Sequence, residues 1–134
     1  MREPLFKFSL TLSLGLALLT AQGQDLNAEL AAKVQAGKAL VVSREGQCTL
    51  CHRIPEHAGA MGDLGPTLQG VASRLSPEAM ELRVKDSRRI NPYTIMPPYF
   101  STEGLSHVDP KFKNQTILSQ AQLQQVLSYL DSLK

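Results

Sequence analysis

Apolar positions recur at helical spacing near both ends of the chain. Leu30, Val34, Gly37, Leu40 and Val41 place one apolar stripe on a helix expected from about Asn27 to Ser43. Leu123, Val126, Leu127, Leu130 and Leu133 make a second stripe, introduced by Ser119 with Gln122 three residues on, a capping-box pattern. Between them, Ser76-Pro77 sets a good N-cap before a proline at the first helical position and predicts a helix through roughly Arg88. A shorter turn of helix is expected over Thr67 to Ser73. Period-two alternation does not persist beyond a few residues, so no sheet is expected and the fold is mostly α. The Pro-rich stretch Asn91 to Pro110 predicts an extended loop. Structureless loops of this length are uncommon in compact domains unless they serve a site.

The N-terminus has a different pattern. Arg2 and Lys7 precede an apolar run, Leu10 to Leu19, and the small-x-small triplet Ala21-Gln22-Gly23 follows, the layout of a secretory leader cleaved near Gly23. The run is far short of the ~20 residues that span a bilayer, so retention as an anchor is the weaker alternative. Residues 1–23 are therefore expected to be a signal peptide and residues 24–134 a single domain with no membrane span, exported to the bacterial periplasm. Fourteen basic against twelve acidic residues give a net charge of +2. So balanced a charge implies no nucleic-acid or membrane partner. No internal repeat or low-complexity linker divides the chain.

Both cysteines of the protein fall in Cys48-Thr49-Leu50-Cys51-His52, the Cys-x-x-Cys-His signature of covalent c-type haem. Two thiols at this spacing each form a thioether to one porphyrin vinyl group, and the adjacent imidazole becomes the proximal iron ligand. A thioredoxin-like dithiol normally sits between a strand and a helix in an α/β pattern, which is absent. A structural zinc site needs four ligands, and only His52, His57 and His107 accompany the cysteines. Cys48, Cys51 and His52 are thus expected to hold one haem c and its iron.

The sixth ligand is sought in the long loop. Met96 lies there within Thr94-Ile95-Met96-Pro97-Pro98, where prolines stiffen the backbone behind it. Met61 follows His52 too closely to pass round the ring, and Met80 belongs to the predicted middle helix, where a core role is at least as natural. Met96 is the expected distal ligand, with packing on the haem face without ligation as its alternative. His/Met coordination raises the reduction potential and suits an electron acceptor. His57 and His107 are expected at the surface.

Gly65-Pro66-Thr67-Leu68-x-Gly70, following the haem motif at this distance, resembles the small class I c-type cytochromes. That resemblance implies that the Pro66 carbonyl accepts the second N–H of His52, fixing the ring and tuning the iron. It also implies that Gly37 on the first helix lets Tyr129 on the last approach closely. The longer run Gly65 to Val71, the block Asp86 to Phe100 with Asn91-Pro92-x-Thr94-x-Met96-Pro97 at its centre, and the ending Ile117 to Leu130 resemble the SoxX family. These are the small monohaem subunits of the SoxAX cytochromes of bacterial sulfur oxidation.

This resemblance implies an electron-accepting subunit, itself without catalytic residues, of a heterodimeric L-cysteine S-thiosulfotransferase. Its SoxA-like partner joins thiosulfate oxidatively to the cysteine of a thiol carrier protein. The small subunit takes up the electrons and passes them to a downstream c-type cytochrome. Arg74, Arg88 and Arg89 become candidates to pair the haem propionates or the partner. The alternative function is a free diffusible periplasmic electron carrier. A dedicated subunit should expose an apolar patch around the haem edge, with Tyr99, Phe100 and Phe112 as candidate members. A haem enzyme or gas sensor would need an open iron position and is disfavoured by a ligating Met96.

Overall fold

The structure, a computed structural model, describes the backbone of residues 10–134 and the side chains from Gly23 onward. Of the leader expected over residues 1–23, residues 1–9 lie outside the described residues and residues 10–22 are described in their backbone alone. Four α-helices follow in order: α1 (Leu10–Val42), α2 (Val71–Arg74), α3 (Pro77–Asp86) and α4 (Gln120–Ser132). Single 3-10 turns cover Cys48–Leu50, Ser87–Arg89 and Pro110–Phe112, and the described residues contain no strand. No helix among the described residues is long and apolar enough to cross a membrane. The mostly α expectation therefore holds.

Contacts divide the chain after Ala32, and Lys33–Lys134 forms the unit that carries the core. The expected stripe on α1 accordingly splits. Leu30 is 55% exposed, whereas Val34 and Leu40 pack against the core and Val41 is completely enclosed within it. A Cβ on Gly37 would drive into the Gln125 carbonyl and come within 2.8 Å of the Tyr129 Cβ, so only glycine permits this approach of α1 to α4.

Helix α4 begins as its sequence predicts. The Ser119 hydroxyl accepts from the Gln122 N–H at 3.3 Å, and the Gln122 side-chain oxygen accepts from the Ser119 N–H at 2.9 Å, a complete capping box. Its face of Leu123, Val126, Tyr129 and Leu130 is buried, packing on α2 and α3. At α3 the Ser76 hydroxyl accepts from the Ala79 N–H at 3.2 Å and Pro77 occupies the first turn. The helix expected to reach Arg88 stops at Asp86. That residue leaves helical geometry and turns its carboxylate onto the Arg88 N–H at 3.2 Å, tightening the chain into a 3-10 turn.

The long loop after Asn91 has no helix or strand until Pro110. It is nonetheless fastened to its neighbours. Tyr99 and Phe100 donate their N–H groups to the Val84 and Lys85 carbonyls at the end of α3, at 3.3 and 3.1 Å, and Leu118 donates to the Tyr99 carbonyl at 3.0 Å. These bonds fix residues 96–100 as a strap beside the segment that carries the cysteines.

Candidate functional site

His52 follows the 3-10 turn Cys48–Leu50, and its N–H closes the turn onto the Cys48 carbonyl at 2.8 Å. The ring is held separately: Nδ1 lies 2.7 Å from the Pro66 carbonyl oxygen. A carbonyl only accepts, so Nδ1 carries the proton and Nε2 keeps its lone pair for a metal. Gly65 is required here, because a Cβ at that position would occupy the space of the His52 ring.

Three cavities adjoin this imidazole, and both His52 and Met96 line every one of them. The two larger have volumes of about 300 and 330 Å³. Cys48 and Cys51 line the first, and no acidic side chain lines any of the three. Around them stand Leu68, Val71, Leu75, Met80, Val84 and Leu130, an apolar slot from which water is readily displaced. A flat, largely apolar group tethered through two thioethers fits this lining, with an imidazole and a thioether available to its metal.

Met96 is held at both ends of its backbone. Its N–H donates to the Thr94 hydroxyl at 3.2 Å, and its carbonyl accepts from the buried Ser87 hydroxyl at 3.1 Å. Met61 is committed elsewhere, its sulfur accepting from the Ile54 N–H at 3.0 Å. Met80 is buried in α3 at the base of the slot. His57 and His107 line none of the three cavities.

The Cys48 thiol speaks against a redox dithiol. Burial pushes the Cys48 thiol up to about 11. A thiol in that range is protonated at neutral pH and a poor nucleophile. No group of three His, Cys, Asp or Glu side chains among the described residues is arranged to hold a metal ion, which leaves the zinc alternative without ligands.

Several expected site residues belong elsewhere. Tyr99 is only 7% exposed, so it is no part of a docking patch; Phe100 is half-buried under the Lys85 ammonium, and Phe112 is exposed under that of Lys111. The exposed apolar side chains near the slot are instead Leu64 (72%), Ile95 (73%), Ile90 and Tyr93 (92%). Leu64, Ile90 and Ile95 also line its first cavity. Arg88 binds the Asp86 carboxylate through Nε and Nη2, both at 2.7 Å, and also donates to the Glu103 carbonyl. Arg74 does line the second of the larger cavities, with its terminal nitrogens donating to the Thr67 and Gln69 carbonyls at 2.6 Å each. Arg89 faces a separate polar groove on the far side of α3.

A protein-family model described as Cytochrome c matches residues 34–134. A solved structure described as SoxXA from P. pantotrophus is similar, with a TM-score of 0.66 at 22% sequence identity, covering 75% of this chain and 80% of that one. Among the curated proteins none matches.

Proposed function

This chain belongs to the cytochrome c family, and we propose that within it the chain is the electron-accepting subunit of a SoxAX-like complex holding one haem c. Residues 1–23 are the leader that sends residues 24–134 to the periplasm. Cys48 and Cys51 carry the thioether links, His52 is the proximal ligand and Met96 the distal one. The partner is a SoxA-like cytochrome subunit that joins thiosulfate to a carrier protein's cysteine, and a downstream c-type cytochrome receives the electrons.

When bound, the haem supplies a one-electron iron centre whose potential is raised by imidazole and thioether ligation. The chain's own groups prepare that ligation. Pro66 fixes the His52 tautomer and ring plane, which keeps Nε2 basic and aimed without reorganisation. Ser87 and Thr94 hold the Met96 backbone, so the weaker thioether ligand is placed by the strap rather than by its own bond to iron. The apolar lining would keep water from the metal, and with both His52 and Met96 as its ligands the chain would offer no open site for substrate chemistry.

The observation that carries the site assignment is the sharing of all three cavities by His52 and Met96. The subunit role is supported by the likeness of fold to SoxXA and by the exposed Leu64, Ile90 and Ile95 at the slot, since apolar side chains beside a redox centre favour a lasting partner over a transient charged encounter. Co-expression with a SoxA-like subunit tests it. The chain should co-purify with that subunit, and its haem should be reduced by thiosulfate in the presence of the thiol carrier. Failure to associate, with the isolated cytochrome still cycling between redox states, would leave the free periplasmic carrier as its function.

A further inference from the structure

The hydrogen bonds that hold Met96 form a closed circuit that starts and finishes on Ser87. The Ser87 carbonyl accepts from the Ile90 and Asn91 N–H groups, both at 3.0 Å. The Asn91 carbonyl accepts in turn from the Thr94 N–H at 3.1 Å, and the Thr94 hydroxyl accepts from the Met96 N–H. The circuit then returns, because the Met96 carbonyl accepts from the Ser87 hydroxyl. Ser87 is only 6% exposed, so the place of this one residue decides where the backbone of the proposed distal ligand stands. That place is set by its two neighbours. The Asp86 carboxylate accepts from the Arg88 N–H, Nε and Nη2, a grip that closes directly across Ser87. The same Nη2 also reaches 15 positions along the chain to the Glu103 carbonyl at 2.9 Å. One guanidinium thus ties the start of the Met96 loop to its far end.

Neither Asp86 nor Arg88 lines any of the three cavities around His52, although Ser87 between them lines the first. We propose that the Asp86–Arg88 pair is a latch that positions Met96 through Ser87 and resists its displacement from the iron. This rests on the haem site and the Met96 ligation proposed above. Both are positioning residues, since they act on the ligand without touching the cofactor. A thioether is a weak ligand, and it stays bound when the chain holds it at high effective concentration beside its metal. A long loop without helix or strand loses that advantage as its ends separate. The Arg88 fork opposes the separation with charge-assisted bonds, each about twice as strong as a neutral one.

Competition for the iron gives the test. The oxidised holoprotein is titrated with imidazole, which takes the distal position only when the thioether leaves it, and the near-red band is followed. Asp86→Asn and Arg88→Gln should each keep the band without imidazole and bind imidazole about tenfold more tightly than wild type, the equivalent of one hydrogen bond to a charged group. The double variant should bind no more tightly than either single one, because both remove the same latch. Gly37→Ala, destabilised at the crossing of α1 and α4 rather than at the strap, should keep the wild-type affinity. A wild-type holoprotein without the near-red band would mean that Met96 is not the ligand, and the reading beneath the latch fails. With the band present, wild-type imidazole affinity in both latch variants overturns the latch itself. An effect in Arg88→Gln that Asp86→Asn does not share overturns it as well, assigning the guanidinium to the haem or the partner. So does an equal rise in Gly37→Ala, which would make the effect one of general stability. Should neither latch variant mature with haem, Ser87→Ala decides, since it deletes one hydroxyl: a comparable rise in affinity supports the latch, and wild-type affinity overturns it.

Discussion

The phenol of Tyr99 donates to the Gly46 carbonyl at 2.6 Å, tying the strap that carries Met96 to the turn that carries Cys48 across 53 positions of chain. The same carbonyl lies 3.5 Å from the Cys48 sulfur. Once that sulfur is a thioether it has no hydrogen to give, and Tyr99 becomes the remaining donor to a buried acceptor. Burial raises the Tyr99 phenol above its ordinary value, so it remains a donor.

Tyr99→Phe keeps the ring in the core and deletes only this bond. It should lower stability by about 1–3 kcal/mol, the cost of leaving one buried acceptor unmade. A urea titration should show the midpoint falling with the slope unchanged. The strap would also loosen, so displacement of Met96 in the oxidised protein should occur at lower pH than in wild type.

Met96→Ala should abolish the weak near-red absorption of the oxidised haem and lower the reduction potential, because the iron loses its thioether. Met80→Leu is the matched control. Met80 lines one of the same cavities but sits in the core on α3, so the leucine should cost under about 1.5 kcal/mol and leave the band in place. A band lost in the Met80 variant and kept in the Met96 variant would exchange their assignments.

The elements legible in the sequence were those whose signals are local. Ser119 with Gln122, and Ser76 with Pro77, mark their own helix starts, and each cap forms as read. The end of α3 was not legible, because it depends on Asp86 choosing the Arg88 N–H over the helix. Tyr99 was misplaced for a similar reason: in a Pro-rich run nothing local distinguishes a tyrosine facing solvent from one buried against Gly46. Arg88, a candidate for the haem propionates or the partner, is instead captured by an aspartate two residues away. Arg83, which lines both larger cavities of the slot, is harder to read, since on a short amphipathic helix only the neighbours decide which flank faces a cavity. A basic residue one turn from Met80 on the slot side was the available signal.

The Asp86 carboxylate is held below its ordinary range by the Arg88 guanidinium, which outweighs the opposing effect of burial. Because the folded value is the lower one, its stabilisation is complete above the unfolded value and is lost as pH falls through the folded value. Wild-type stability should therefore decline below about pH 4, the unfolded aspartate value. Asp86→Asn should lose about 1.5–3 kcal/mol at neutral pH, the worth of hydrogen bonds to a charged group. The gap between the two proteins in urea should narrow in acid, where the wild-type carboxylate takes up its proton. Equal gaps at neutral and acid pH would assign the stabilisation to something other than this charge.

Gly37→Ala sets two effects against each other. Alanine favours a helix by about 1 kcal/mol over glycine, and at a solvent-facing position of α1 that gain would stand. At Gly37 the added methyl meets the Gln125 carbonyl and the Tyr129 Cβ of α4. Backbone cannot yield as a flexible side chain would, and overpacking of this kind costs typically about 1–3 kcal/mol and sometimes more. The clash should win, leaving the variant less stable by about 1–2 kcal/mol on balance. Tyr129→Ala in the same background would remove neither obstructing contact, because alanine keeps its Cβ and the Gln125 carbonyl stays. The double variant should therefore recover none of the stability lost at Gly37. Recovery in urea would mean that the tyrosine, rather than the approach of the two helix backbones, demands glycine at this crossing.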